Sequence, residues 1–428
     1  MLLQGANKMC DEVDVGHLTE DAGCGPQLPS NGAAPKPLRQ QVFEYIRAKG
    51  QAARSDIARD LFISAGSATT MTADLIASSL LREVDGAARD STRGRPPVAL
   101  EVVPTAAFVI GIKVSYTRHT AVLADMAGNM LADTDLQTSL HRRSLPDLMD
   151  EIAALIDRLL TESGMTQADI SAVGLGLPGI IDHAAGVVAW SALLDDPQQD
   201  LGAAFASRFS MPLYLDNDAN MLTLAELWFG EGRAKCDFAV VTIEDGVGMG
   251  LVLDNRLYRG ARGMGMELGH SKVHLDGALC RCGQRGCLEA YLADYALARE
   301  AATALDHAPD DHQSSQLMLE TLFEQAKAGH TGAQTIFRRA GRYLSVGLSN
   351  VVQLFDPPLI ILSGERMQYD YLYAEEVIAE MRALTGSQGR PPCEIAIHAW
   401  GDLIWARGAT ALALSALTDT LVGRGLPA

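Results

Sequence analysis

Long apolar runs are missing from this chain. No uncharged hydrophobic stretch in its 428 residues reaches the roughly 18 needed to span a bilayer as a helix, so no membrane anchor is expected. Residues 1–36 lack the charged, apolar and small-residue succession of a secretory signal, which makes the cytoplasm the expected compartment. Positive charge is in deficit: 35 Lys and Arg face 53 Asp and Glu, a formal net charge of −18. That balance opposes nucleic-acid binding by the chain as a whole. Cysteine is sparse, with seven in total. Cys10, Cys24, Cys236 and Cys393 are scattered and read as tail or core residues, whereas the other three fall within "CRCGQRGC" (280–287). In a reducing compartment clustered thiols more often bind metal than bridge, but spacing alone leaves metal, disulfide and chemistry all open.

The charge deficit is uneven. Residues 37–104 hold nine Arg and Lys against eight Asp and Glu, a net +1, so the remainder carries −19. Hydrophobic residues at 48% and charged ones at 21% are ordinary for a globular chain, whose length suits about two to four domains.

Residues 1–35, rich in Gly, Pro, Asn and Asp, read as a disordered tail. Beyond them Val42, Phe43, Tyr45 and Ile46 predict a helix ending near Gly50. A second helix is expected over Arg54 to Leu61 with Ser55 as its cap, and a third after Ser64 with Ala68, Met71, Leu75 and Ile76 inward. Three short helices with a tight middle turn are a helix-turn-helix pattern. Two short strands around "DGAARDSTRGRPP" would add a wing. From residue 105 strand-like runs alternate with helices: "AFVIGIKV", "HTAVLADM" and "ISAVGLGLPG", then "DFAVVTIEDGVGMGLVL" and "PLIILSG". Run through twice, this rhythm predicts a two-lobed α/β body.

The segments "LDNDANMLTLAE" (215–226), "GMELGH" (265–270) with "CRCGQRGCLEAY" (280–291), and "LSNVVQLFDPPLIILSG" (348–364) resemble the ROK family of bacterial sugar kinases and related transcriptional repressors. The resemblance covers about residues 37–428. It implies an α/β fold: an N-terminal winged helix-turn-helix followed by a two-lobed actin-like, hexokinase-like body. The implied division is a winged helix-turn-helix at 36–90, an arm or linker at 91–104, lobe 1 at 105–235, and lobe 2 with zinc loop and C-terminal helix at 236–428.

His270 with Cys280, Cys282 and Cys287 would then hold zinc. Four nitrogen and sulfur ligands leave no open position, so the ion would be structural, with Gly283 and Gly286 letting the loop fold around it. The family's sugar ligands map onto Asn217, Asp218, Glu267, His270 and Glu289, Asp218 standing where the kinases carry their catalytic base. Carboxylates suit sugars because each accepts from adjacent hydroxyls. Two departures affect this pocket. Met266 replaces a common glycine and is expected to intrude, and Ala192-Leu193 replaces a Pro-Asn step, removing an amide.

The phosphate machinery departs further. Lys113, Val114, Ser115, Tyr116 and Thr117 stand where kinases carry an Asp-x-Gly-Gly-Thr turn, and Glu244, Asp245, Gly246, Val247 and Gly248 replace their second glycine-rich loop. A carboxylate 4 Å from a phosphate charge costs about 4 kcal/mol at an effective dielectric near 20. No ATP is expected to bind, and Asp218 would be a vestigial base.

The repressor branch remains. Its recognition-helix pattern fits residues 63–81, offering Ser64, Ser67, Thr69, Thr70 and Thr72 to DNA, with no arginine on that helix. Arg93 and Arg95 in "STRGRPP" would enter an A/T-rich minor groove. The expected partners are a palindromic double-stranded operator, a small sugar or sugar-phosphate effector, and further copies of the chain in a homodimer or homotetramer. The rival readings are a sugar kinase with an atypical phosphate site, and a regulator whose body docks a protein instead of a sugar.

Overall fold

The structure, a computed structural model, describes residues 23–28, 36–84, 98–138, 141–304, 315–364, 367, 375–386, 389 and 391–423. Arg93, Arg95 and most of the expected arm lie outside the described residues.

The N-terminal module comprises α1 (Leu38–Lys49), α2 (Arg54–Asp60) and α3 (Ala65–Ala77). They are backed by an antiparallel sheet of β1 (Gln51–Ala53), β2 (Leu81–Val84) and β3 (Ala99–Val102) in the order β1-β3-β2. Val42, Phe43, Ile46, Ile57, Ala68 and Leu75 are wholly buried and bind the three helices together. Ser64 caps α3, its Oγ accepting from the Ser67 amide at 3.0 Å. Two expectations fail. Helix α2 starts at Arg54 as expected, but its N-cap is Ala53, without a side-chain cap, so Ser55 lies inside the helix. Thr72 is fully buried rather than exposed, accepting from Arg54 Nε at 3.0 Å.

The disordered tail also needs correction. Residues 23–28 lie along the junction of module and body, held by backbone groups that no hydropathy pattern encodes. The Cys24 amide donates to Arg47 O (3.0 Å), Gly25 N to Trp228 O (2.9 Å) and Gln27 N to Arg233 O (2.9 Å). Gly23 sits at φ 115°, and a Cβ there would lie 2.4 Å from Arg47 O, so only glycine lets the segment approach so closely.

The body holds two five-stranded sheets of matching pattern. In lobe 1, β4 (Phe108–Lys113), β5 (Arg118–Asp125) and β6 (Met130–Gln137) form an antiparallel meander. To it β7 (Ile170–Leu177) and β11 (Leu213–Asn217) add in parallel, giving the order β11-β7-β4-β5-β6. A small sheet of β8 (Ile180–Asp182), β9 (Val187–Trp190) and β10 (Gln199–Asp200) projects from it, with α4 (Leu145–Ser163) and α5 (Leu201–Ala206) packed alongside. Helix α6 (Asp218–Phe229) leads into lobe 2. There β12 (Phe238–Ile243), β13 (Val247–Leu253), β14 (Arg256–Tyr258), β15 (Leu359–Ser363) and β16 (Glu394–His398) repeat the plan as β14-β13-β12-β15-β16. The remaining helices are α7 (Glu289–Leu292), α8 (Asp294–Ala304), α9 (Ser315–Lys327), α10 (Thr331–Phe355), α11 (Glu375–Leu384) and α12 (Ile404–Leu421).

The lobe boundary at 235/236 misassigns two helices. Helix α6, placed in lobe 1, packs on β12 and β13 of lobe 2, while α12, placed in lobe 2, packs on β4 and β7 of lobe 1. Glycines make both approaches possible: a Cβ on Gly111 or Gly174 would lie 2.0 Å from the α12 carbonyls of Ala406 or Ala409. The two helices cross where a Cβ on Gly408 would meet Met221 O at 1.8 Å. The far end of α12 then receives the module. Arg39 Nη1 donates to Val422 O (2.8 Å), Gln40 Nε2 to Asp419 Oδ1 (2.6 Å) and Arg47 Nη1 to Thr418 Oγ1 (2.8 Å).

Glu226 is a wholly buried carboxylate on α6. Its Oε1 accepts from Trp400 Nε1 at 2.6 Å and lies 2.7 Å from His398 Nδ1, whose Nε2 is 3.1 Å from Glu231 Oε2. Donating to both carboxylates requires the imidazolium. Burial works against that charge, yet Glu226 and Glu231 together hold His398 above its ordinary value.

A raised folded value means this contribution is fully present below an unfolded pKa of about 6.5 and is lost as pH climbs through the folded one. Urea midpoints should therefore fall on going from pH 6 to alkaline conditions by more in the wild type than in His398→Gln. Gly408→Ala should lower the urea midpoint by about 1–3 kcal/mol equivalent, the usual cost of overpacking, because α12 and α6 must separate.

Candidate functional site

The crevice between the lobes is built from the ends of strands and the start of α6. Asn217, last residue of β11, caps α6 by accepting from Asn220 N at 2.8 Å, and Asp218 opens the helix with Oδ1 on Ala219 N at 2.9 Å. Behind them the buried Asp216 carboxylate is held by Asn220 Nδ2 (2.7 Å) and Arg259 Nε (2.6 Å). Burial raises the Asp218 carboxyl above its ordinary value, opposed by the Lys113 ammonium. Lys113, at the end of β4, is itself buried with Nζ 3.5 Å from the centroid of Trp405.

From lobe 2 come Glu267, His270 and Glu289. Glu267 precedes a single 3-10 turn that ends on His270. Its carboxyl is pushed up to about 7 by burial and then by the negative charges of Asp218 and Glu289. Three carboxylates from separate segments thus converge closely enough to feel one another. Glu289 is buried at the start of α7, with Oε2 3.4 Å from Val247 N and Oε1 accepting from Tyr295 OH at 3.4 Å.

Of the two expected departures, the one at Met266 acts otherwise than the sequence suggests. Met266 does adopt the glycine-like conformation, φ 71°, at a cost of about 1–2 kcal/mol. Its side chain packs against the lobe 2 core instead of intruding. Leu193 offers no side-chain amide: it is wholly buried in the lobe 1 core, its backbone N–H donating to Ser191 Oγ at 3.2 Å.

His270 Nε2 lies 4.0 Å from Glu267 Oε2, while its Nδ1 turns the other way, 3.7 Å from Cys280 Sγ. Cys282 Sγ and Cys287 Sγ are also 3.7 Å apart, and the four ligand atoms all fall within 4.8 Å of one another. A zinc–sulfur bond of about 2.3 Å gives a tetrahedral S···S edge of about 3.8 Å, so the donor set fits zinc. Gly286 closes the loop at φ 76°, where a Cβ would strike His274 O at 1.7 Å. Sequence reasoning missed Lys272, whose Nζ donates to Cys287 Sγ at 2.8 Å, and Tyr295, whose hydroxyl is 3.6 Å from Cys280 Sγ. No spacing signal marks either one.

The loop after β4 turns its polar groups inward. Ser115 N donates to His119 Nδ1 (3.3 Å), Ser115 Oγ to Arg118 O (2.5 Å), and Tyr116 O accepts from Arg143 Nη2 (3.2 Å). Burial and then the charge of Asp245, across in lobe 2, raise the Tyr116 hydroxyl.

On the module, Ser64, Thr69 and Thr70 are exposed and Ser67 is half-buried. Ser67 Oγ lies 2.9 Å from Ser64 Oγ, while Thr69 and Thr70 hydroxyls donate to Ala65 O (2.9 Å) and Gly66 O (3.0 Å) of their own helix. These residues gather on one element remote in sequence from the crevice.

The ROK family model matches residues 109–416. The xylose repressor of Caldicellulosiruptor bescii is 25% identical over 331 residues, covering 76% of this chain and 82% of that protein. Among solved structures, a ROK family transcriptional regulator, homolog of the E. coli Mlc protein, aligns with a TM-score of 0.72 and 23% identity. It covers 90% of this chain and 96% of that one. A ROK family glucokinase from Streptomyces griseus, in complex with glucose and AMPPNP, aligns with a TM-score of 0.61 and 27% identity, over 72% of this chain and 99% of the kinase.

Elemental analysis of protein purified without chelator should find about one zinc per chain, given four closed ligands. Cys282→Ser, which removes the exposed ligand, should lose most of that metal and lower the thermal midpoint. Full metal content in that variant would reject the assignment.

Proposed function

The chain belongs to the ROK family, and from that premise we propose that it is a sugar-responsive DNA-binding transcriptional regulator, a repressor of carbohydrate uptake or catabolism genes acting in the cytoplasm. The observation that carries this reading is the pairing of a carboxylate-lined crevice with a first phosphate loop that has turned its polar groups inward. Lys113 occupies the position of the metal-binding carboxylate, and Ser115 spends its amide on His119. Backbone amides already donated cannot cradle a phosphate. Asp218 is then a sugar ligand and not a base.

In this reading Asn217, Asp218, Glu267, His270 and Glu289 receive the hydroxyls of a small sugar or sugar phosphate. Zinc on His270, Cys280, Cys282 and Cys287 supplies a rigid cross-link. His270 presents Nε2 to the crevice because Nδ1 faces the thiolates. The module spanning 36–90 is a winged helix-turn-helix, α3 being its recognition helix with Ser64, Ser67, Thr69 and Thr70 toward DNA. Support comes from the regulator alignment, which covers more of this chain than the kinase alignment does. Arg93 and Arg95 follow as a minor-groove arm. A symmetric homodimer or homotetramer would set the spacing of two half-sites in a palindromic A/T-rich operator.

The route from sugar to DNA runs through α6. Its first residues hold the sugar, and its last turn holds the module: the Arg47 guanidinium of α1 lies 4.3 Å from the Trp228 ring. Lobe closure that displaces Asp218 must displace Trp228 with it, since the helix between them is buried throughout.

Selection of duplexes from a random pool should enrich a palindrome, and one member of a panel of hexoses, pentoses, N-acetylated sugars and their phosphates should release it. In a coupled ADP-release assay the same sugars should support no turnover. Brisk turnover abolished by Asp218→Asn would reverse the reading in favour of a kinase.

A further inference from the structure

Phe62 stands apart among the described residues. It lies in the turn between α2 and α3, two positions before the Ser64 cap, and is 92% exposed, more than any other large hydrophobic side chain described. Its φ of 56° is left-handed, a conformation that bulky residues avoid and that turns between such helices commonly give to glycine. The position therefore carries two unfavourable features at once, an unpacked ring and a strained backbone. Nothing within the fold offsets them, because the ring touches no core. A binding partner would.

The chemistry around Phe62 selects that partner. Up to Asp74 the exposed positions of α3 carry neither a charge nor an amide: Ala65, Gly66, Thr69, Thr70 and Ala73. Both threonine hydroxyls donate to their own helix, so long donors that could read guanine or adenine edges are missing from this surface. What it can offer a major groove is apolar contact, and the apolar group displayed there is the thymine 5-methyl. A benzyl ring at the entrance to that helix has the reach the short side chains lack.

We propose that Phe62 is a specificity-determining DNA contact, seating its ring on thymine 5-methyl groups at the operator. The inference rests on the DNA-binding reading of α3 and adds to it the kind of base that is read.

The test uses the full chain and the duplex enriched from a random pool. Affinity is measured at one fixed salt concentration for that duplex and for copies in which each thymine in turn is deoxyuridine, which lacks only the methyl. Wild type should lose several-fold affinity at one or two thymines per half-site. Phe62→Gly, which suits the left-handed backbone and should fold with an unchanged or higher thermal midpoint, should bind the parent duplex about 10-fold more weakly. It should also be indifferent to deoxyuridine at those same positions. Phe62→Tyr, keeping the ring, should retain the wild-type profile. Equal affinity and an identical deoxyuridine profile for wild type and Phe62→Gly would overturn the contact while leaving DNA binding intact, and would point the ring at a protein partner. A pool from which wild type enriches nothing would overturn the DNA reading itself, and this contact with it.

Discussion

Helix α6 has no side facing water. Every residue from Ala219 to Phe229 is buried, so the helix cannot tilt or slide without moving the β12–β13 hairpin on one side and α12 on the other. Polar residues on such a helix must find partners inside the protein, and they do. Asn220 reaches Asp216, Thr223 bonds back to Ala219 O, and Glu226 takes Trp400 and His398. Twelve residues make a rod about 18 Å long. One end is committed to the crevice carboxylates and the other, through Trp228, to Arg47 and the segment at residues 23–28. The exchange of α6 and α12 between the lobes is what puts those two ends in register.

The crevice wall contributed by lobe 2 depends on a different device. Between Ser271 and Leu288 the chain forms no strand, only two isolated bridges, Lys272 with Cys287 and Leu279 with Arg285. Its own apolar cluster amounts to Cys280, Cys287, Ala290 and Tyr291. So small a cluster cannot offset the entropy of ordering that much chain. Zinc on the four proposed ligand atoms would, by tying His270 to a loop ten residues further on. Tyr291 then stacks on Tyr343 with centroids 3.8 Å apart, fastening the assembly to α10. Glu289, lodged between this loop and the Val247 amide, inherits its position from both.

Much of this was legible in the sequence, for identifiable reasons. Ser64 announces a helix start because its hydroxyl must satisfy an orphan amide, and the doubled strand rhythm follows from two sheets each burying continuous apolar strands. The segments holding Asp218, Glu267 and the cysteines stand out because function confines their chemistry. Other features left no trace. The segment at residues 23–28 is held by backbone amides, which every sequence possesses. The lobe exchange was hidden because the polar residues of α6 and α12 do not gather on one side, so no amphipathic face says which sheet they cover. Ser55 looked like a cap, yet the chain enters α2 directly from β1 and has no room for one. Trp405 carries Lys113 from a part of the chain that shares no local pattern with it.

Charge distribution decides how a module of this kind would discriminate. Five of its described cations are paired internally: Lys36 with Glu44, Arg39 with Asp74, Arg54 with Glu83, Arg59 with Asp56 and Asp60, and Arg82 with Glu101. The body behind it is strongly acidic. Non-specific affinity for DNA is almost wholly a matter of neutralising phosphates, so this arrangement keeps that background low. With the background suppressed, occupancy of a site depends on contacts that distinguish bases and, in the proposed oligomer, on the geometry holding two modules at a fixed spacing. A regulator that moves its modules through a rigid helix needs that condition. If phosphate contacts dominated, a shift in spacing of a few ångströms would barely change affinity, and the sugar would have nothing to control.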